Sequence, residues 1–187
     1  MRKGRMLPPA GGPNCRRSYD ACIRMATALT IAGQGSPDAV SMPADRALGG
    51  VEPRFEGLYL HVPFCFHKCH YCDFYSFVDR EDRQAAYAAR VDAELAAMAR
   101  FVHAPLGTVF VGGGTPTLLR PDVLRRTLDS VRTRVALAPG AQWTVEANPE
   151  TIDLEKAHVL AEAGVNRVSI GAQSFDPRHL KTLERWH

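Results

Sequence analysis

From Gly57 onward the chain repeats one unit, a short run rich in apolar and β-branched residues followed by a segment of helical period. The runs are Leu58–Val62, Thr108–Val111, Gln142–Glu146 and Arg167–Ile170. After the first, Tyr87, Val91, Leu95, Met98 and Val102 recur on one helical face. After the second, Leu124, Leu128, Val131 and Val135 do the same, with Pro121 where a first helical turn tolerates it. Asp153 can cap a third helix and Gly164 can end it. Asp176-Pro177 opens a fourth, expected to run on to the chain end at His187. Such alternation builds a parallel sheet with right-handed crossovers. The short, apolar runs suit strands covered on both faces. The expected fold class is therefore α/β, with four β/α units, too few to close an eight-stranded barrel. No stop signal closes the fourth helix, so the chain is expected to be a truncated gene product.

Residues 1–56 read differently. The first 50 hold twelve Gly and Pro and no sustained period, the pattern of a disordered leader. This leaves 57–187 as the globular part. The first 56 residues carry eight Lys/Arg against five Asp/Glu, which accounts for the whole net charge of +3. A neutral globular part without a basic stripe gives no reason to expect nucleic-acid binding. No apolar run approaches the roughly 18 residues of a membrane-spanning helix. Arg2, Lys3, Arg5, Arg16, Arg17 and Arg24, with Asp20 the one acid among the first 37 residues, have a faint transit-peptide flavour. Ala26–Ala32 is a poor match to a signal h-region. A start placed too far upstream, or plain disorder, accounts for the leader better. The expected location is the cytoplasm, with the mitochondrion as the lesser alternative.

Five cysteines, three of them within eight residues, do not form the even, spread pattern of a disulfide framework. They suit a reducing compartment, where clustered thiols bind metal. Cys65, Cys69 and Cys72 have the spacing C-x3-C-x2-C, directly after the first strand. Three thiolates on one tight loop can hold three irons of a [4Fe–4S] cubane and leave the fourth open, whereas electron-transfer clusters close it with a fourth Cys. The open iron can accept the amino and carboxylate groups of S-adenosylmethionine (SAM), whose sulfonium the cluster then reduces to release a carbon radical. The alternative is zinc with His67 or His70 as fourth ligand, although zinc favours closed tetrahedral sets. Taken alone, the two histidines read as exposed loop residues.

Three further features follow later strands. Gly112-Gly113-Gly114-Thr115-Pro116 lets backbone N–H groups approach a ligand, and it is no P-loop because no Gly-Lys-Ser/Thr follows. Glu146 ends the third strand and Gln173 lies just past the fourth. Singly, each is as readily a turn or a surface residue. Jointly they fall at the C-terminal ends of successive parallel strands, the face where β/α architectures build their sites.

Tyr59–Cys65, the cysteine triad, Gly112–Thr117, Val145–Pro149 and Ser169–Phe175 together resemble the radical SAM family of oxygen-independent coproporphyrinogen III oxidases and their haem-chaperone relatives of the HemW type. The resemblance covers Gly57 to His187. It implies an incomplete barrel of about six β/α units, of which 57–187 would be the N-terminal part of the core domain. It assigns the cluster to Cys65, Cys69 and Cys72. SAM contacts would come from Tyr59, Tyr71, Gly113, Gly114, Thr115, Glu146, Gln173 and Arg185. The implied ligands are haem or a porphyrinogen, and the implied partners are a haem acceptor and an electron donor. The oxidases carry a further cysteine two positions after the triad. Here Cys72 is followed by Asp73-Phe74, the chaperone form. Haem transfer is thus the favoured reading, conversion of coproporphyrinogen III to protoporphyrinogen IX the alternative, and an inactive fragment the third.

Overall fold

Each of the four apolar runs forms a strand, and every strand pairs in parallel with its neighbour in sequence. The computed structural model describes residues 55–187; the leader expected from the sequence lies, up to residue 54, outside them. The strands are β1 (Gly57–Val62), β2 (Leu106–Gly113), β3 (Leu137–Ala147) and β4 (Arg167–Ile170), in the order β1-β2-β3-β4. The helices are α1 (Gln84–Ala99), α2 (Pro121–Arg134), α3 (Leu154–Ala163) and α4 (Pro177–Thr182).

Sequential order combined with right-handed crossovers sends every helix to the same side of the sheet. Along β1, Leu58, Leu60 and Val62 face that side and join Tyr87, Ala88, Val91 and Leu95 of α1 in the core. Val109, Val111 and Val145 continue it beneath Leu124, Leu128 and Val131 of α2, all at most 1% exposed. Truncating one of these buried leucines to Ala costs about 2–5 kcal/mol. The other face carries Tyr59, His61, Phe110 and Glu146, so the expected cover on both faces is not what the four strands have. Phe55, ahead of β1, packs on the core, and the Glu56 carbonyl accepts the Gly107 N–H at 3.0 Å.

β2 runs two residues beyond its expected range at each end, and the boundaries differ further at three places. Val102 lies past the end of α1, yet packs on the core through a tight turn. β3 begins at Leu137, five residues early, because its register against β2 shifts between Leu106 and Thr108 and Gly140, at φ +75°, absorbs the bulge. α4 stops at Thr182 and does not run to His187. Glu184 adopts φ +54°, its N–H bonds to the Lys181 carbonyl at 3.3 Å, and the Arg185 N–H bonds to the Leu180 carbonyl at 2.9 Å. That is a Schellman stop, with glutamate where glycine is usual. Asp153 and Asp176 cap α3 and α4 as expected, accepting from the Lys156 and Arg178 amides.

Candidate functional site

The C-terminal strand ends converge on one cavity of about 540 Å³. The cysteine loop, residues 63–83, leaves β1 and is pinned at both shoulders. Phe64, 1% exposed, packs edge-on against Phe77 and Tyr87 at 5.5 and 5.3 Å between ring centroids. The Cys65 N–H bonds to the Phe77 carbonyl at 3.0 Å, and the Phe77 N–H to the Pro63 carbonyl at 2.9 Å. The span between closes on itself. Lys68 Nζ donates to the Phe74 carbonyl (2.6 Å) and to Ser76 Oγ (3.0 Å), and the Cys72 N–H bonds to the Cys69 carbonyl. All three thiols are free and partly exposed, and all line the cavity.

The glycine run lies beneath them. The Gly114 and Thr115 amides donate to the Val62 and Phe64 carbonyls, both at 2.7 Å, which draws the turn tight under Cys65. Space for side chains is absent there. A Cβ on Gly114 would fall 2.6 Å from the Phe64 carbonyl oxygen. One on Gly113, whose φ is +109°, would fall 2.5 Å from the His61 ring. Glu146 reaches across from β3 and accepts the Gly113 N–H at 3.2 Å. Asn148 Nδ2 donates to Thr115 Oγ1 at 3.2 Å, and that hydroxyl faces Cys65 Sγ at 3.9 Å. Beyond β4, the Gly171 N–H bonds to the Ala147 carbonyl at 2.8 Å, and Gln173, at φ +63°, folds its amide back over Gly171.

Of the residues expected at the site, Tyr71, Gly113, Gly114, Thr115, Glu146, Gln173 and Arg185 line the cavity with the three cysteines. Tyr59 does not. Its hydroxyl donates to His61 Nδ1 at 3.0 Å, which leaves His61 Nε2 to donate to the Tyr75 carbonyl at 2.7 Å. The pair ties β1 to the far shoulder of the cysteine loop. Burial, then the nearby Glu146 charge, raises the Tyr59 pKa above its ordinary value.

Sequence reasoning missed the residues that fix the arm after α4. His187 sets its ring nitrogens against Glu150 Oε1 (2.9 Å) and the Ala172 carbonyl (2.8 Å). Burial pushes the Glu150 carboxyl up, but His187 and the Trp186 amide outweigh it and hold the group below its usual range. Glu184 accepts from His67, which with His70 beside it holds that carboxyl low as well. Burial opposes the charge of Arg185, but Tyr71, Cys69 and Glu150 more than offset it and raise its pKa. Arg185 Nε is buried with no hydrogen-bond partner among the described residues.

The residues present suit an iron–sulfur cluster with SAM beside it. Three free thiols are the soft donor set such a cluster takes. Glycines 113 and 114 leave bare backbone where any Cβ would collide. An orphaned guanidinium nitrogen awaits an anionic or carbonyl group. Among the described residues no three His, Cys, Asp or Glu side chains converge as ligands of a single metal ion.

Residues 59–187 match the radical SAM superfamily, and the chain belongs to it. Among curated relatives, the heme chaperone HemW of Mycobacterium tuberculosis (strain H37Rv) is 45% identical over 137 residues, 70% of this chain and 35% of the relative. The heme chaperone HemW of Escherichia coli (strain K12) is 43% identical over 136 residues, with the same coverage of 70% and 35%. An oxygen-independent coproporphyrinogen III oxidase of Bradyrhizobium diazoefficiens is 35% identical over 131 residues, 68% of this chain and 29% of that protein. The solved coproporphyrinogen III oxidase HemN of Escherichia coli, described as a radical SAM enzyme, superposes with a TM-score of 0.64 at 27% identity, over 70% of this chain and 31% of that one. The open parallel sheet with alternating helices is thus the radical SAM fold. The chain spans about a third of the length of the curated relatives it matches. These relatives are bacterial and lend no support to a mitochondrial address.

Proposed function

We propose that the chain holds a [4Fe–4S] cluster on Cys65, Cys69 and Cys72, binds SAM across the glycine run, and serves haem transfer to an acceptor protein in the cytoplasm. The observation that carries the choice of haem transfer is Phe74. It stands where the oxidase pattern has a cysteine, and it offers neither a lone pair for metal nor a thiol for redox chemistry. Phe74 lines the cavity at 66% exposure, in company with Phe66 at 74% and Trp186 at 65%. An exposed aromatic rim of this kind marks a binding surface and suits a flat apolar macrocycle.

The chain's own residues have the following parts in this reading. Gly113 and Gly114 give SAM close backbone approach, and Glu146, held by the Gly113 amide, presents a carboxylate to it. Gln173 and Arg185 supply an amide and a cation, with Tyr71 beside the guanidinium. Tyr59 acts through His61 and the loop. When bound, the cluster supplies an electron to the SAM sulfonium; the electron donor is a separate partner.

The deciding experiment is a haem titration run beside product analysis for protoporphyrinogen IX, under anaerobic, reducing conditions with SAM and coproporphyrinogen III. Haem binding without turnover is expected. Steady multiple turnover to protoporphyrinogen would overturn the chaperone reading and restore the oxidase.

A further inference from the structure

Residues 66–74 hang between the pinned shoulders of the cysteine loop. Among the described residues, the side chain of His67 joins this span to Glu184, outside the loop. Glu184 Oε2 lies 2.6 Å from His67 Nε2 and 3.6 Å from His70 Nδ1. His67 occupies the three-residue spacer between Cys65 and Cys69, and His70 the two-residue spacer between Cys69 and Cys72. One carboxylate therefore hydrogen-bonds to the first spacer and lies within ion-pair distance of the second.

The backbone gives no reason for a glutamate there. Its φ of +54° is the left-handed stop of α4, a conformation in which a Cβ is disfavoured and glycine is usual. The side chain supplies the reason. The next residue is Arg185, with its unpartnered Nε at the cavity wall. Trp186 then sets its ring edge-on to Phe66 and His67, at 6.4 and 5.5 Å between centroids. His187 anchors the far end of the arm on Glu150 and the Ala172 carbonyl.

We infer that Glu184 is a positioning residue, a latch that holds the two cysteine spacers at a fixed distance from the arm presenting Arg185. The inference rests on the reading of the cavity as the cluster and SAM site. It assigns to His67 and His70 the role of loop anchors, in place of exposed bystanders or metal ligands.

The test compares Glu184→Gly and Glu184→Gln with the parent chain. Glycine relieves the left-handed strain, so the melting temperature should hold or rise, while the latch is lost. Glutamine keeps an oxygen acceptor for His67 and should rescue. In metal-free protein, hydrogen exchange at residues 66–74 should speed up in Glu184→Gly and stay near the parent rate in Glu184→Gln. In anaerobically reconstituted protein, Glu184→Gly should need about tenfold more SAM to change the electron paramagnetic resonance spectrum of the reduced cluster, the loss expected for one charge-assisted hydrogen bond. Parent-like exchange at 66–74 in Glu184→Gly overturns the latch, as does an unchanged SAM requirement. A parent that ignores SAM altogether overturns the reading of the cavity, and the exchange measurement on metal-free protein still decides the latch.

Discussion

Asn148 donates its side-chain amide to Thr115 Oγ1, and through that hydroxyl the end of β3 is coupled to the first cysteine of the triad. Thr115 is 4% exposed, so its hydroxyl depends on protein partners. Asn148→Ala should lower stability by about 1 kcal/mol, the net value of one such hydrogen bond. It should also raise the SAM concentration needed to alter the cluster spectrum. Thermal melting with a SAM titration checks both; a melting temperature and a titration equal to the parent's would remove Asn148 from the site.

The triad alone should hold the metal. Anaerobically reconstituted protein is expected to bind about four irons and four sulfides and to show a broad thiolate-to-iron absorption band. Cys65→Ala, Cys69→Ala and Cys72→Ala should each abolish it. Cys15→Ala and Cys22→Ala, outside the described residues, should leave it intact. One tightly held zinc and no sulfide would refute the assignment.

Glycine 113 should tolerate no side chain. Its φ of +109° and the His61 ring both oppose a Cβ. Gly113→Val should therefore abolish the SAM-dependent spectral change. His61→Ala in the same chain removes the ring but not the backbone restriction, so it should restore the response only in part. A Gly113→Val protein that answers SAM like the parent would show that close backbone approach is not required.

Asp79 should give the loop a pH dependence. Burial raises its pKa, but the Arg83 and Glu81 amides and the Arg83 guanidinium outweigh burial, and the folded-state pKa lies below its ordinary value. A depressed carboxylate pKa means stability that is present above the unfolded-state value and is lost as pH falls through the folded one. In metal-free protein, Asp79→Asn should cost about 1 kcal/mol near neutrality, and the difference should shrink as pH falls from the ordinary carboxylate range through the lower folded-state pKa. Denaturant melts across that range decide it; a pH-independent difference would assign the effect to shape and not to charge.

The strands and their polarity were legible because period and composition report burial directly. The Arg167–Ile170 strand and the Asp153 and Asp176 caps appear as read. The cavity was legible because parallel strands bring their C-terminal ends together whatever lies between them. What escaped was long-range or conformational. The His67–Glu184 contact joins residues 117 apart in sequence, a separation on which local pattern is silent. The end of α4 was missed because its stop is a glutamate, and the usual sign of a left-handed stop is glycine.

Among the described residues each strand of this sheet pairs with its neighbour in sequence, and the widest such pairing joins Gly57 to Thr108. The latch does not share that property. As the chain leaves the ribosome N-terminus first, β1 to β3 can settle with α1 and α2 while the cysteines stand on a loop whose last restraint has yet to be synthesised. Until residues 183–187 have been made, the three thiols lie on a loop that lacks its hydrogen bond to Glu184.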